Sequence, residues 1–532
     1  MIGKKGDTPV FFVYVVLVFL WAGISAGQVN ASPSCDRTRY LPIGHPAYYC
    51  LDRLQERGCL SALDWSLRPY TRLQVLEAIR AQEKGKLLDF EQQWLERLRA
   101  DCEVDPGKVT GADTTAMRVV ARLEASGDFH SVRPDKQRNT VGLSFGGSFG
   151  PVVFDARFLR APHLLGPADS TMHRDPDVLP PFEEGLIRPM EGYLKADFRW
   201  FGNKFSSEVF CGRLARNWSP ALDQSLILGA DAASFDHLAL CLRSRHFVFS
   251  HLVAALDGMT WRTRPGQPWV RAKRYLSAHR LDIRVRDNLR FGISETVVYG
   301  GQSRGFDPGL MNPAASFRLV SIQNKVDHAG NTFVSLDGLF IAAQRLTLFG
   351  QFLFDDMLRS NRYQDRWACD LGLRLREVPG LTGSTAGVRA TIVSSFAYNT
   401  FNPYERYLIY GRPLGAPSGN DYRFIEGWLR YFINSRIDLK AHLDLTGRGA
   451  QRVAGSIEPF TGSTGLEFPT PVVERTITAG LALRWQPLPE AHFTAECGLI
   501  NRKNVDNNPG KRSRRGYLSL AFSIYRDFPF EF

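Results

Sequence analysis

The feature that most constrains this chain is a hydrophobic alternation of period two that recurs from about residue 109 to the C-terminus. Over residues 436–446, Ile437, Leu439, Ala441, Leu443 and Leu445 alternate with Asp438, Lys440, His442, Asp444 and Thr446. Residues 190–201 set Leu194, Ala196, Phe198 and Trp200 against Lys195, Asp197 and Arg199, and residues 279–286 set Leu281, Ile283 and Val285 against Asp282, Arg284 and Arg286. Successive side chains of a strand point to opposite faces, so each segment has one apolar and one charged face. A soluble sandwich also buries one face, and a single strand does not separate the two architectures.

The connections do. Strand-like segments run from 117–126 to 515–524, about eighteen in all, each long enough to cross a bilayer at a tilt. Long connections (127–138, 161–189, 212–235, 257–278, 300–331, 355–366, 397–421, 447–473 and 501–514) alternate with tight turns such as Gly202-Asn203 and Asp287-Asn288. Short turns at one end and long loops at the other are the pattern of an outer-membrane barrel. Beyond the N-terminus no apolar run approaches the length of a membrane helix, and a closed barrel is the other structure that satisfies its backbone in lipid. The expected fold is mainly β: an antiparallel transmembrane β-barrel of about 18 strands. Phe528, Phe530 and Phe532 alternate to the C-terminus around Pro529, similar to the signal by which barrel-assembly machinery recognises its clients. That makes this machinery an expected partner through Phe532.

Residues 1–31 read as a signal peptide, with Lys4 and Lys5 before the apolar run VFFVYVVLVFL and Val29-Asn30-Ala31 as a cleavage site. Residues 32–108 read as a small α-helical bundle on the periplasmic side, and 109–532 as the barrel. Tyr48, Leu51 and Leu54 mark one helix, Leu73, Leu76 and Ile79 a second, and Trp94, Leu95 and Leu98 a third. Such a bundle has a small core of its own and is expected to dock on the barrel mouth, with Pro106-Gly107 as a short hinge. Cys35, Cys50, Cys59 and Cys102 precede the barrel, and export makes disulfides among them an expectation with three possible connectivities. Cys211 and Cys241 are a further candidate pair.

The inward set includes Lys195, Arg199, Arg284, Arg286, Arg374, Arg376, Lys440 and Arg484, interspersed with Asp155, Asp197, Asp282, Asp438 and Asp444. A formal net charge of +12 suits anionic saccharides or lipopolysaccharide phosphates. No motif points to nucleic acid. Catalysis fares no better: Asp355 and Asp356 are adjacent and would face opposite sides of a strand, and neither Gly-x-Ser-x-Gly nor His-Glu-x-x-His occurs. No cofactor, metal or catalytic residue is expected.

Several stretches resemble the Wzi-type capsule-assembly family of outer-membrane proteins. YLPIGHPAYYCLDRLQERGCL from Tyr40, followed by RPYTR to Arg72, is similar to that family's N-terminal helical module. RLARNWSPALDQSLILGADAASFDHLAL from Arg213 resembles its third external loop, with Ser219 in place of Gly before Pro220 and with Ala230, Ala232 and Ala233 in place of Asn and Pro. LTLFGQFLFDD from Leu346 and the terminal strand complete the resemblance. It implies a non-enzymatic, lectin-like role in holding capsular or exopolysaccharide at the surface. A diffusion channel for an unidentified solute, anionic ones included, is the alternative, and the two differ in whether the lumen is open. Loop 300–331 is long enough to fold inward and plug it.

Sugars bind through aromatic faces and planar polar groups, and Arg pairs bidentately with uronate or phosphate. The candidate polysaccharide-binding residues are therefore Arg213, Arg216, Trp218, Asp223 and Gln224 in one loop, Trp261 and Arg264 in the next, and Tyr404, Arg406 and Tyr407 in the seventh. Arg262, Trp269, Tyr410 and Arg412 flank them. Trp218 and Arg216 are expected to form an exposed pair beside the stiff Pro220.

Overall fold

The computed structural model describes residues 35–82, 87–103, 118–132, 138–149, 152–160, 188–201, 204–262, 266–323, 330–343, 345–356, 366–455 and 468–531. The expected signal peptide, the Pro106-Gly107 hinge, Arg264 and Phe532 lie outside them.

Among the described residues nineteen strands share one antiparallel sheet. Eighteen form a closed ring: β1 Arg118–His130, β2 Arg138–Phe149, β3 Val152–Arg160, β4 Arg188–Trp200, β5 Phe205–Leu214, β6 Phe235–Ser244, β7 Phe247–Ala255, β8 Val270–Arg286, β9 Leu289–Gly301, β10 Asn331–Ala342, β11 Leu346–Asp356, β12 Arg366–Val378, β13 Leu381–Val393, β14 Tyr422–Phe432, β15 Ile437–Arg448, β16 Glu474–Leu488, β17 Ala491–Lys503 and β18 Arg512–Glu531. The ring closes where β1 pairs with β18, Val120 opposite Pro529. The remaining strand, Met259–Trp261, pairs only with β8. Closure removes the edges that would leave backbone donors unsatisfied in lipid. Tight turns gather at one end of the ring and the longer connections at the other; these are called here the turn end and the loop end.

The alternation read from the sequence sorts the wall. Leu443, Leu445, Ile477, Leu481, Leu499 and Leu518 are exposed on the outer face. The opposite parity turns inward, where Asp438, Lys195, Arg374 and Arg376 are buried. Towards the loop end the inner face becomes apolar instead: Leu276, Ala278, Val298, Phe333, Leu353, Ala368 and Val393 are all buried there, under loops that fold into the lumen. This explains why β8 begins well before the strand expected at 279–286. Its first half alternates Arg271 and Lys273 outward with Ala272, Arg274 and Leu276 inward, the reverse of the pattern used to find membrane strands.

Helices α1 Tyr48–Glu56, α2 Arg72–Gln82 and α3 Asp89–Cys102 pack in the turn end. Thr71 and Gln74 cap α2 reciprocally, the Gln74 N–H donating to Thr71 Oγ1 and the Thr71 N–H to Gln74 Oε1. Leu51, Leu54, Trp65, Leu76, Ile79, Trp94 and Leu98 form one core with Leu339, Ile341, Phe349 and Phe432 of the barrel. The bundle thus completes its small core on the barrel wall. Its charges are met from the same wall: Arg53 by Asp438 at 2.5 Å, Glu56 by Arg430 at 2.5 Å, Glu91 by Arg376 at 2.5 Å, and Asp64 by Arg284 at 2.8 Å and Arg290 at 3.0 Å.

One possibility and one expectation from the sequence are corrected here. Loop 300–331 is long enough to fold inward and plug the lumen, but its described residues fold over the outer face of β8 and β9. Leu310 and Phe317, from two short helices Pro308–Met311 (α4) and Phe317–Gln323 (α5), pack on the outward Tyr275, Val297 and Tyr299. Glu295, also outward, accepts from Ser316 Oγ and from the Phe317 and Arg318 N–H groups, all at 3.1 Å. A carboxylate on the outer wall is expensive unless satisfied, and this segment satisfies it. Secondly, Cys50, Cys59, Cys102, Cys211 and Cys241 are free thiols. Cys211 is exposed and Cys241 buried, on opposite faces of adjacent strands and out of register (Cys211 opposite Leu238, Cys241 opposite Glu208), so that pair cannot bridge.

Candidate functional site

The lumen is filled from both ends. From the turn end, residues 60–71 reach inward. From the loop end, residues 215–234 descend between β5 and β6. They meet at Arg68 and Asn217, whose backbones exchange N–H···O bonds of 3.0 and 3.1 Å. Residues 394–421 then lie over this contact. Tyr398 and Tyr407 each donate a hydroxyl at 2.7 Å, to the carbonyls of Leu226 and Ile227. Arg274 fixes the same loop from β8, donating to the carbonyls of Tyr404 at 2.8 Å, Arg406 at 2.7 Å and Leu408 at 2.9 Å while pairing with Asp257 at 3.0 Å.

This packing decides where each sequence-predicted residue lies. Trp218 is 3% exposed, in the apolar cluster with Leu67, Leu226 and Tyr407. Its carbonyl accepts from Ser225 Oγ and Gln351 Nε2, both at 2.9 Å. Arg216 donates to Tyr40 Oη at 3.2 Å and lies 3.1 Å from His237 Nε2, with its guanidinium over the Phe210 ring. Burial, aggravated by Glu208, pushes the Tyr40 hydroxyl far above its ordinary range, so it stays protonated beside Arg216. The expected exposed Trp218–Arg216 pair is therefore interior. A loop with this many apolar residues (Ala221, Leu222, Leu226, Ile227, Leu228) gains more by entering the lumen than by staying in water.

Arg406 and Tyr407 are buried too, at 2% and 0% exposed, and hold the loop rather than face solvent. Asp223 and Gln224 converge on Arg389 of β13: the Asp223 carboxylate at 2.6 Å, and the Gln224 carboxamide oxygen at 2.6–3.0 Å. Asp223 remains 70% exposed. Arg213 forms a bidentate pair with Asp236 at 2.9 and 2.5 Å.

Trp261 and Tyr404 behave differently. They come from separate loops yet stand 5.0 Å apart between ring centres, half-buried at the loop end. Trp261 is held by the short strand it shares with β8, opposite Val270. Tyr404 is held by its own carbonyl, bonded to Arg274. Beside them Arg262 lies 4.9 Å from the ring centre of the exposed Trp269. Burial raises the pKa of the Tyr404 hydroxyl, with Glu405 adding to the effect, so it stays a donor at neutral pH. Two rings, an exposed indole and a guanidinium at the rim are a surface suited to carbohydrate: apolar sugar faces on the rings, hydroxyls or carboxylates on the polar groups. Among the described residues no group of His, Cys, Asp and Glu has the arrangement of a metal site.

The comparisons agree with this architecture. A family model described as "Capsule assembly protein Wzi" matches residues 110–515. The chain belongs to the Wzi capsule-assembly family. Its fold is that of Wzi from Escherichia coli, an outer-membrane protein involved in group 1 capsule assembly and described as a carbohydrate-binding β-barrel. The two share 14% identity at a TM-score of 0.57, over 90% of this chain and 97% of that one. Two Pseudomonas aeruginosa outer-membrane barrels, OccK3 and OprD, are more distant: 11% and 10% identity, each at a TM-score of 0.42, over 77% and 81% of this chain and 96% and 97% of theirs. No curated protein matches. This Wzi-family chain is thus an outer-membrane barrel. Arg274, which positions Tyr404, was missed in the sequence; its signal was an Arg at an inward position between Ala272 and Leu276, where a charge needs a specific partner.

Proposed function

We propose that this Wzi-family barrel is a lectin-like, non-enzymatic protein that holds capsular or exopolysaccharide at the cell surface. In this reading the loop end faces outward, the helical bundle faces the periplasm, lipid and lipopolysaccharide surround the wall, and assembly machinery reads the C-terminal Phe532. The observation that carries it is the Trp261–Tyr404 pair at the loop end, above a lumen occupied by residues 60–71, 215–234 and 394–421. A diffusion channel needs a continuous aqueous path, and the Arg68–Asn217 junction lies across it. The Escherichia coli relative is described as carbohydrate-binding, which supports the same ligand class.

The test is binding of the host's purified surface polysaccharide to detergent-solubilised protein. Wild type is expected to bind, and Trp261→Ala with Tyr404→Ala to weaken binding about tenfold, roughly 1–2 kcal/mol for two stacking faces. Unchanged binding by a folded double variant would move the site away from this pair.

A further inference from the structure

The outer face of β14–β18 carries a second pattern at its loop end. The register places Arg423 opposite Gly447, Gly447 opposite Arg475, Arg475 opposite Lys503, and Lys503 opposite Arg512. These positions form one register row across five adjacent strands at the loop end. Arg514, opposite Asn501, lies one pleat repeat towards the turn end. All five basic residues are exposed and share the outward parity of Ile425, Leu445, Ile477, Leu499 and Leu518. The Arg423 side chain leans across Gly447 towards Arg475: a Cβ at Gly447 would come within 3.2 Å of Arg423 Nε. The glycine leaves a gap in the row that the guanidinium covers.

None of the five has a protein partner among the described residues. The nearby acids are already engaged: Glu474 accepts from Arg502 at 2.8 Å, and Asp506 from Lys511 Nζ at 2.9 Å. Basic residues so close to lipid, without protein acceptors, call for an anion from outside the chain.

The place of the row above an apolar belt says which anion. Directly below lie Ile425, Leu445 and Ile477, then Leu443 and Leu499, then Leu429, Leu481 and Leu518. The belt ends at Trp485 and Phe493, whose rings are 5.6 Å apart, opposite Phe522. From Arg475 to Trp485 the strand runs about 33 Å at ~3.3 Å per residue, or about 25 Å along a membrane normal at the usual tilt. That is the thickness of the apolar band of an outer-membrane barrel. On this strand Arg475 thus stands at one hydrocarbon boundary and Trp485 at the other. Arg475, Lys503 and Arg512 sit on three adjacent strands and span about 10 Å at ~4.8 Å per strand. That span suits a glycolipid headgroup bearing more than one phosphate.

We propose that Arg423, Arg475, Lys503, Arg512 and Arg514 form a docking site for the phosphorylated disaccharide headgroup of an outer-leaflet glycolipid. Arg forks take phosphate oxygens bidentately, Lys503 acts as a point charge, and the acyl chains lie on the Leu and Ile rows beneath. The proposal rests on the reading that the loop end faces outward, and it deepens the lipid contact assigned there.

The test compares protein in nanodiscs containing bis-phosphorylated lipid A with protein in nanodiscs containing the same lipid A after dephosphorylation. Wild type is expected to retain the phosphorylated lipid at least about tenfold more strongly, with the preference shrinking as salt is raised. Arg475→Gln/Lys503→Gln/Arg512→Gln is expected to lose the preference while keeping its heat-modifiable folded band. The three side chains are exposed, and Arg475→Lys/Arg512→Lys should restore most of it. Competition by millimolar inorganic phosphate without lipid dependence would make the row a free-phosphate site and overturn the proposal. So would a wild type indifferent to the lipid A phosphates, or a triple variant that loses polysaccharide binding but keeps the lipid A preference. Protease access to the loops in intact cells tests the orientation separately, so failure of that reading is distinguishable.

Discussion

Arg274 shows how much of the candidate site depends on one buried side chain. Its guanidinium holds three carbonyls of loop 394–421 and pairs with Asp257, and it is 1% exposed. Removing it leaves the Tyr404 and Leu408 carbonyls without this donor and the buried Asp257 carboxylate without its cation. Arg274→Met is expected to cost about 3–5 kcal/mol and to expose residues 394–421 to protease before the barrel opens. Equal proteolysis of the two proteins would contradict this. The thiols are a second residue-scale case. Burial pushes Cys50, Cys59 and Cys102 up to about 12. At pH 8 their thiolate fraction is about one in ten thousand, so alkylation of the native protein is expected at exposed Cys211 and not at these three until denaturant is added. Mass-spectrometric mapping of the label reads this directly, and labelling of Cys50 at the rate of Cys211 would contradict the packing.

At the scale of elements, what was legible depended on which neighbour each segment met. Strands bounded by lipid outside and water or charge inside kept a strict alternation, and Ile437–Arg448 matches the segment read over 436–446 within two residues. The three helices were legible from Leu51, Leu54, Leu76, Trp94 and Leu98, because their apolar faces form one core. The external loops were not. A Trp or Arg in a loop reads the same whether it faces solvent or a neighbouring loop, so the sequence alone does not separate Trp218, Arg406 and Tyr407 from Trp261 and Tyr404. Only the three-dimensional partners separate them. The length of the segment over β8 and β9 allows it to enter the lumen, but length alone does not say which face a loop folds over. It makes its own prediction: Glu295→Gln removes the charge that caps α5 and lies 3.1 Å from His279 Nε2, at a cost of about 1–3 kcal/mol. Cleavage within residues 302–323 should then accelerate with the barrel intact. An unchanged cleavage rate would show that Phe317 and Leu310 hold the segment without it.

For the whole molecule, the ring of strands and the material inside it act as one body. The bundle shares its core with β10, β11 and β14, and the loops share theirs with β6–β14. Purified protein in planar bilayers is accordingly expected to give no steady porin-size current. The central claim, that this Wzi-family barrel retains polysaccharide through its loop end, is tested most directly in cells. A deletion strain complemented with wild type or with Trp261→Ala/Tyr404→Ala is scored for surface-retained against shed polysaccharide, with heat-modifiable gel mobility confirming equal amounts of folded barrel. The expected result is restored retention with wild type and a shift towards shed polymer with the double variant. Equal retention by both proteins, or no difference between the deletion strain and the wild-type complement, would contradict it.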